Sequence, residues 1–303
     1  MHTGILYAAL AYALWGIFPL YFHQLAGVPP LEIVLHRSVW SLVLLAIVLT
    51  AMRRWAWFGQ VLRQPRQLAL FFLSALLLSA NWLTYVWAVN NHHVLDASLG
   101  YFINPLFNVL LGYLVLHERL RLAQWLAIGL AAAGVLWLAL AAGHVPWIAL
   151  FLAATFGIYG LLRKTASLGA LEGLALETLL LAPITVSLLG YWTWQGQSAL
   201  ATGSPSLIAW LMLAGPLTAI PLLLFAAGAR RISLATLGLL QYIGPTLQFA
   251  IGVWVYDEPF DSTRFAGFAL IWSALIVYSA ESWRVLRRTR MALAATLAEA
   301  VDR

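Results

Sequence analysis

Ten apolar stretches dominate this sequence, and each is long enough to cross a lipid bilayer as a helix. A helix of about 20 apolar residues spans the hydrocarbon layer. The stretches lie at residues 4–22, 31–52, 68–89, 97–116, 122–141, 147–163, 171–192, 207–228, 234–255 and 264–282. We therefore predict an all-α membrane protein with ten transmembrane helices.

The composition agrees with a lipid environment and excludes several classes of protein. Hydrophobic residues make up 63% of the 303 residues and charged residues only 9%, against about 25% charged in a soluble domain. The net charge of +6 indicates cationic loops facing anionic lipid rather than a nucleic-acid partner. With no cysteine, disulfides, thiolate nucleophiles and thiolate-bound metals are excluded. No GxxxxGK[ST] loop is present, so direct driving by ATP is not expected.

One long segment of the chain occurs twice. Residues 85–120 align without a gap with residues 225–260, at an offset of 140. Asn104-Pro105 lies opposite Gly244-Pro245, and Glu118 lies opposite Glu258. Self-similarity of this kind indicates a structural unit used twice.

The loop charges predict the orientation of the two units. Lys and Arg cluster on alternate loops, at residues 53–66, 119–121, 163–164 and 230–231 and in the tail from residue 284, whereas the opposite loops hold only Arg264. Basic loops face the cytoplasm, so both termini are predicted to be cytoplasmic. At the offset of 140 every internal loop changes its charge, as expected if a five-helix unit is inserted again in inverted orientation.

This pattern divides the chain into three parts. Residues 1–143 form the first five-helix repeat, residues 144–283 the second, inverted repeat, and residues 284–303 a basic cytoplasmic tail that either lies on the membrane surface or frays. Inverted repeats occur chiefly in transporters, whose substrate site lies near the bilayer midplane between the repeats.

Five sequence motifs resemble a known family. They are WGIFPLYF at 15–22, EIVLHRSVWSL at 32–42, NWLTYVWAVN at 81–90, GYFINPL at 100–106 and the ERL…Q…G…AG pattern at 118–134. The last is similar to the EamA branch of the drug/metabolite transporter superfamily, and the others resemble its RarD permeases. The resemblance implies a ten-helix permease of the bacterial inner membrane, with a central cavity lined by the first, third, fourth, sixth, eighth and ninth helices. It does not imply a substrate, because substrates in this branch range from amino acids to nucleotide sugars and drugs.

Two charged residues inside predicted helices are candidates for function. Arg37 is the one basic residue well inside a predicted span, and Glu177 is its counterpart at the offset of 140. A charge in the membrane is costly and is expected to face a cavity or a partner. We predict that Arg37 attracts anions and that Glu177 has a proton or gating role. The alternative for each is snorkelling or a structural ion pair.

Prolines recur in both halves beside polar side chains. Pro105 and Pro245 are predicted to kink their helices and to free a carbonyl near Tyr101 and Gln241, and paired kinks mark transporter sites. Packing alone is the alternative. Together with an aromatic wall on the first and third helices, the residues predicted to bind or gate substrate are Trp15, Phe18, Arg37, Asn81, Trp82, Tyr85, Tyr101, Asn104, Asn108, Glu177, Gln241, Tyr242 and Gln248, with kinks at Pro19, Pro105 and Pro245.

Other polar residues are predicted to be structural. His92, His93 and Asp96 lack a third or fourth ligand nearby, so we predict no metal site. Glu118 and Glu258 precede predicted helices in tight turns, where a carboxylate can bind unpaired amides.

The leading hypothesis is a secondary transporter that exports or exchanges small metabolites or drug-like solutes by alternating access. It needs no cofactor; its partners are the solute, membrane lipids and, as a candidate coupling ion, protons, and a monomer suffices. The alternatives are an intramembrane enzyme that uses His36, His92, His93 and Asp96, and a receptor or scaffold that does not transport.

Overall fold

The protein is described by a computed structural model that covers residues 2–25, 27–90, 94–142, 147–255 and 262–301. Within these ranges all regular structure is α-helical. The helices are α1 His2–Gly16, α2 Phe18–His23, α3 Pro30–Ala51, α4 Ala56–Val61, α5 Pro65–Asn90, α6 Val94–Leu114, α7 Leu122–Ala142, α8 Trp147–Thr165, α9 Ala170–Trp194, α10 Ala199–Thr202, α11 Pro205–Ala229, α12 Leu234–Gln241, α13 Ile243–Val255 and α14 Ser262–Val301.

Every apolar stretch of the sequence lies in a helix or in a pair of helices. In the described part of the chain, nine segments are long and apolar enough to span a membrane, and Leu99–Leu114 of α6 is a shorter apolar helix. The all-helical membrane fold is therefore confirmed. In the described residues, α14 continues through the basic tail to Val301 as helix.

Of the three prolines predicted to kink helices, two follow an interruption between helices and one lies inside a continuous helix. The chain leaves helical geometry at Ile17, two residues before Pro19, and α12 ends and α13 begins around Tyr242, three residues before Pro245, although Tyr242 itself keeps right-handed helical dihedral angles. Proline has no N–H to donate and its ring crowds the preceding turn, which accounts for both breaks. By contrast, α6 continues through Pro105 as one helix. The kink at Pro105 stays a prediction, because a helix can bend at a proline without being interrupted.

Helix starts are stabilised by side chains, in one case from a distant loop. Ser233 is the N-cap of α12 and accepts a hydrogen bond from the Thr236 N–H at 3.1 Å. The Glu118 carboxylate accepts from the N–H groups of Leu234 and Ala235 at 2.8 and 3.2 Å. The structural role predicted for Glu118 is therefore seen, but the helix it caps is α12 rather than the one that follows it in sequence. Glu258 lies outside the described residues.

The helices pack in related pairs. α1 lies against α11 and α8 lies against α5; α3 contacts α9; α6 contacts both α8 and α12; and α7 packs along α14. The largest apolar core, around Tyr12, Tyr159, Phe225 and Leu237, joins α1, α8, α11 and α12. Close approach needs small residues: a Cβ on Gly215 of α11 would meet the backbone of Trp40 and Ser41 in α3. These contacts surround a central space.

Candidate functional site

A cavity lies at the centre of the bundle. Its empty volume, open space at the mouth included, is about 780 Å³. None of the described residues that line it is charged. The lining residues are Tyr12, Trp15, Phe18, Phe22, Asn81, Trp82, Tyr85, Gly100, Tyr101, Asn104, Leu152, Phe156, Gln241, Gly244, Pro245 and Gln248.

Most of the candidate residues chosen from sequence meet at this cavity. The ones that line it are Trp15, Phe18, Asn81, Trp82, Tyr85, Tyr101, Asn104, Gln241, Pro245 and Gln248. The ones that do not are Pro19, Arg37, Pro105, Asn108, Glu177 and Tyr242. The cavity therefore joins α1, α2, α5 and α6 to α8, α12 and α13.

One wall of the cavity is aromatic. The Trp82 ring lies 6.3 Å from Phe18 and 6.2 Å from Tyr85, between ring centroids, and Tyr85 lies 5.5 Å from Tyr101. Across the cavity, Trp15 meets Phe156 edge to face at 5.6 Å. Such rings bind planar or apolar groups by stacking. Phe18, Trp82 and Tyr85 from the predicted wall line the cavity, and residues of α6 and α8 extend it.

Amide side chains form a second, polar wall. Asn108 is fully buried behind the cavity and donates from Nδ2 to Asn104 Oδ1 at 3.0 Å and to Gln241 Oε1 at 3.2 Å. Asn104 in turn donates to the Ala153 carbonyl at 2.9 Å. Asn108 thus fixes the two amides that line the cavity without lining it itself. The network ties α6 to α8 and α12.

Two hydrogen-bond donors at the cavity have no partner. The Tyr12 hydroxyl and the Trp15 indole Nε1 are buried without a hydrogen-bond partner among the described residues, and both side chains line the cavity. Burying an unpaired donor costs about 1–3 kcal/mol. A solute that carries acceptor atoms would satisfy them, so the cavity is equipped to bind a polar group as well as an aromatic one.

Tyr242 supports the cavity from outside. Its side chain is fully buried, and its hydroxyl donates to the Phe102 carbonyl at 3.2 Å. Its ring belongs to an apolar cluster with Phe268 and Ile271. It therefore joins α6 to α14 at the break between α12 and α13, and does not contact the cavity.

Arg37 lies directly behind the aromatic wall. Its guanidinium carbon is 4.8 Å from the centroid of the Trp82 ring, and only 6% of the residue is exposed. Its Nε has no hydrogen-bond partner within the described part of the chain. This geometry is a cation–π contact and differs from snorkelling, in which the charged head reaches water.

Glu177 forms a separate buried cluster. Its Oε1 accepts from the Ser74 hydroxyl at 2.6 Å and lies 3.5 Å from Arg163 Nη1. Side-chain exposure is 1% for Arg163 and 2% for Glu177. Sequence reasoning placed Arg163 in a loop; the structure places it inside α8, as a buried partner of Glu177. It was missed because its position near the end of α8 looks exposed in sequence.

The histidines and the predicted cap residues do not form a metal centre in the described structure. No group of three or more His, Asp or Glu side chains there could hold a metal ion. His36 accepts from the Trp40 indole at 3.1 Å and lies 3.7 Å from Glu32 Oε1, whose carboxylate binds the Ala199 N–H at 2.6 Å. His92, His93 and the Asp96 side chain lie outside the described residues.

Apolar helices around an internal cavity with aromatic and amide walls define a multi-pass membrane protein of the transporter class. Residues 2–140 match the model of the EamA-like transporter family. The chain is 47% identical to Protein RarD of Streptomyces exfoliatus, over 97% of this chain and 93% of that protein. It is 42% identical to Protein RarD of Escherichia coli, over 94% and 97%, and 47% identical to an uncharacterized transporter of Vibrio cholerae, over 95% and 96%.

The chain therefore belongs to the EamA-like transporter family, as a RarD-type member. A solved structure described only as "Crystal structure of protein" shares the fold, with a TM-score of 0.70 and 20% identity over 94% of this chain and 99% of that one. The resemblance inferred from the sequence motifs is confirmed.

Proposed function

We propose that this membrane transporter moves small metabolites or drug-like solutes by alternating access, as a secondary exporter or exchanger. The observation that carries the proposal is the composition of the cavity wall. Trp82 and Asn104 come from the first half of the chain, and Phe156, Gln241 and Gln248 come from the second. A site shared by two halves changes its accessibility when one half rocks against the other.

We propose further that residues 1–143 and 144–283 are inverted five-helix repeats, making ten transmembrane helices in all. The pairing of α1 with α11 is matched by that of α8 with α5, one five-helix step along the chain. At residue level, a Cβ on Gly16 would meet Leu247 at 2.8 Å, and one on Gly157 would meet Phe107 at 2.5 Å. Residues 107 and 247 are 140 apart, and both glycines permit the same kind of close crossing.

The buried ion pair offers a means of coupling. Glu177 and Arg163 join α9 to α8 near the helix ends opposite the cavity, and Ser74 adds α5. When the Glu177 carboxylate takes up a proton, the contact between α9 and α8 weakens, because a neutral acid attracts Arg163 less than a carboxylate does. Energy then comes from a proton gradient through Glu177, or from the solute gradient alone.

In this proposal the protein lies in the bacterial inner membrane with both termini in the cytoplasm. The basic residues of the loops after α3 and α11, such as Arg54 and Arg230, then face the cytoplasm, as the positive-inside rule requires. Its partners are the solute, lipids and candidate protons. A monomer contains the whole cavity, and no nucleic acid is involved.

Accessibility of the cavity from both sides of the membrane tests alternating access without knowledge of the substrate. The chain has no cysteine, so Gln248→Cys introduces one unique thiol into the cavity wall. We expect a membrane-impermeant maleimide to label it from either side of oriented vesicles. Arg63→Cys, on an exposed loop position, serves as control and should react from one side only.

Labelling of the cavity thiol from one side alone would contradict alternating access and favour a receptor or scaffold. The proton role has its own test. Wild-type and Glu177→Gln proteins are compared in liposomes for exchange of a labelled solute under an imposed pH gradient. Exchange that responds to neither the mutation nor the gradient removes Glu177 from coupling.

A further inference from the structure

Arg37 is a buried cation without a counterion among the described residues. No described carboxylate pairs with it, its Nε has no hydrogen-bond partner among the described residues, and its guanidinium lies against the Trp82 ring. An uncompensated charge inside a membrane protein is costly and typically marks a binding site or a pathway. The position therefore calls for an anion that the described chain does not supply.

The nearby carboxylates are already engaged elsewhere. Glu177 is paired with Arg163 and Ser74, and Glu172 is paired with Arg54 at 2.9 Å. Glu32 is bound to the Ala199 N–H. None of these three carboxylates forms an ion pair with Arg37, so the described residues give Arg37 no direct counterion.

The cavity beside Trp82 has an excess of hydrogen-bond donors over acceptors among its buried, unpaired groups. Trp82 both lines the cavity and contacts Arg37. The Tyr12 and Trp15 side chains line that cavity, and the Tyr12 hydroxyl and Trp15 indole N–H are buried without a hydrogen-bond partner among the described residues. An indole N–H can only donate, so the ligand it awaits must offer acceptor atoms. Charge and hydrogen-bonding capacity thus point to the same kind of ligand.

We propose that the cavity selects organic anions: solutes with one negatively charged, acceptor-rich group attached to an apolar or aromatic body. The body stacks on Trp82, Trp15 and Phe156, and Arg37 supplies the attractive potential from behind the Trp82 ring. This deepens the transport function proposed above and rests on it for its physiological meaning, although the charge preference is a property of binding alone.

The expected size of the preference follows from Coulomb's law. Two unit charges about 10 Å apart in an effective dielectric of about 20 change a binding constant on the order of ten-fold. The aromatic wall alone would favour cations through its ring faces. The sign of the preference therefore distinguishes Arg37 from the rings around it.

Three probes that differ in permanent charge provide the test: benzenesulfonate, benzenesulfonamide and phenyltrimethylammonium. Binding to the full-length protein in nanodiscs is measured by quenching of its tryptophan fluorescence. We expect wild type to bind benzenesulfonate on the order of ten-fold more tightly than benzenesulfonamide, and phenyltrimethylammonium most weakly. Absence of benzenesulfonate binding, or equal binding of the sulfonate and the sulfonamide, would overturn the proposal.

Matched variants assign the effect to Arg37. Arg37→Met should bind the sulfonate and the sulfonamide alike, whereas Arg37→Lys and the exposed-loop control Arg63→Gln should keep the preference. If Arg37→Met does not fold, loss of the preference at high salt in wild type combined with its retention in Arg37→Lys still supports the proposal. Unchanged preference in a folded Arg37→Met would refute it. One-sided labelling of Gln248→Cys would refute transport while leaving this binding result intact.

Discussion

The phenol of Tyr242 donates a hydrogen bond to the backbone carbonyl of Phe102, at 3.2 Å, and the two residues are 140 positions apart. Their rings stack with centroids 6.4 Å apart and planes inclined by 26°. The separation is the offset of the sequence repeat. A residue that touches its own counterpart must lie close to any axis that relates the two halves, so the contact between α6 and the α12–α13 break marks where such an axis would pass.

Removing the Tyr242 hydroxyl tests how much this contact contributes. Tyr242→Phe keeps the ring and removes the hydroxyl donor. We therefore expect the free energy of unfolding to fall by about 1 kcal/mol, which is typical of one buried hydrogen bond. Thermal unfolding in detergent measures it. Tyr113→Phe, at a largely exposed position on α6, is the matched control and should leave the midpoint unchanged; an equal effect of both variants would contradict the assignment.

Breaking the Arg163–Glu177 ion pair should lower the free energy of unfolding more than removing the Tyr242 hydroxyl does. Arg163→Met leaves the carboxylate buried without its cation, and removal of one partner of a buried pair typically costs about 3–5 kcal/mol. We expect a marked fall in the unfolding midpoint, partly restored in the double variant Arg163→Met/Glu177→Gln, which holds no unpaired charge. Arg63→Met is the exposed control. A double variant less stable than Arg163→Met would show that the pairing is not the cause.

Gly215 and Gly129 make opposite predictions for the same substitution. A Cβ at Gly215 would lie 2.5 Å from Trp40 Cβ and 2.6 Å from Ser41 N, whereas one at Gly129 meets nothing within 4 Å. Gly215→Ala should therefore push α11 away from α3 and lower the free energy of unfolding by about 1–3 kcal/mol. Gly129→Ala should raise stability by up to about 1 kcal/mol, because alanine favours helix. Unfolding midpoints that move in the same direction would contradict the packing described.

Sequence alone located the helices well because span length and apolarity are local properties. It also chose most of the cavity side chains, such as Trp82, Asn104 and Gln248, since polar or aromatic residues inside apolar runs are conspicuous. It misplaced Arg163 and overlooked Ser74, because burial near a helix end depends on which neighbouring helix covers it. The kink that it predicted at Pro105 lies within a continuous helix, α6, which contacts α8 and α12.

The proposed inversion of the second repeat predicts opposite exposure for two equivalent loops. Arg119→Cys and Ser262→Cys lie just before α7 and at the start of α14. We expect an impermeant thiol reagent to reach the first from the cytoplasmic side and the second from the opposite side. Labelling of both from the same side would refute the inverted arrangement, even if the cavity and the family assignment hold.

The two basic residues at the end of α8 are engaged by protein groups on the folded molecule. Arg163 donates to the Ala170 carbonyl at 3.0 Å as well as meeting Glu177, and Lys164 donates to the carbonyls of Ala229 and Ile232 at 3.2 and 2.5 Å. Positive residues direct insertion while the chain is still unfolded. In the proposed topology the same side chains therefore act twice, first as orientation signals during insertion and afterwards as contacts between the folded helices. A substitution at either position would then impair both insertion and the stability of the folded protein.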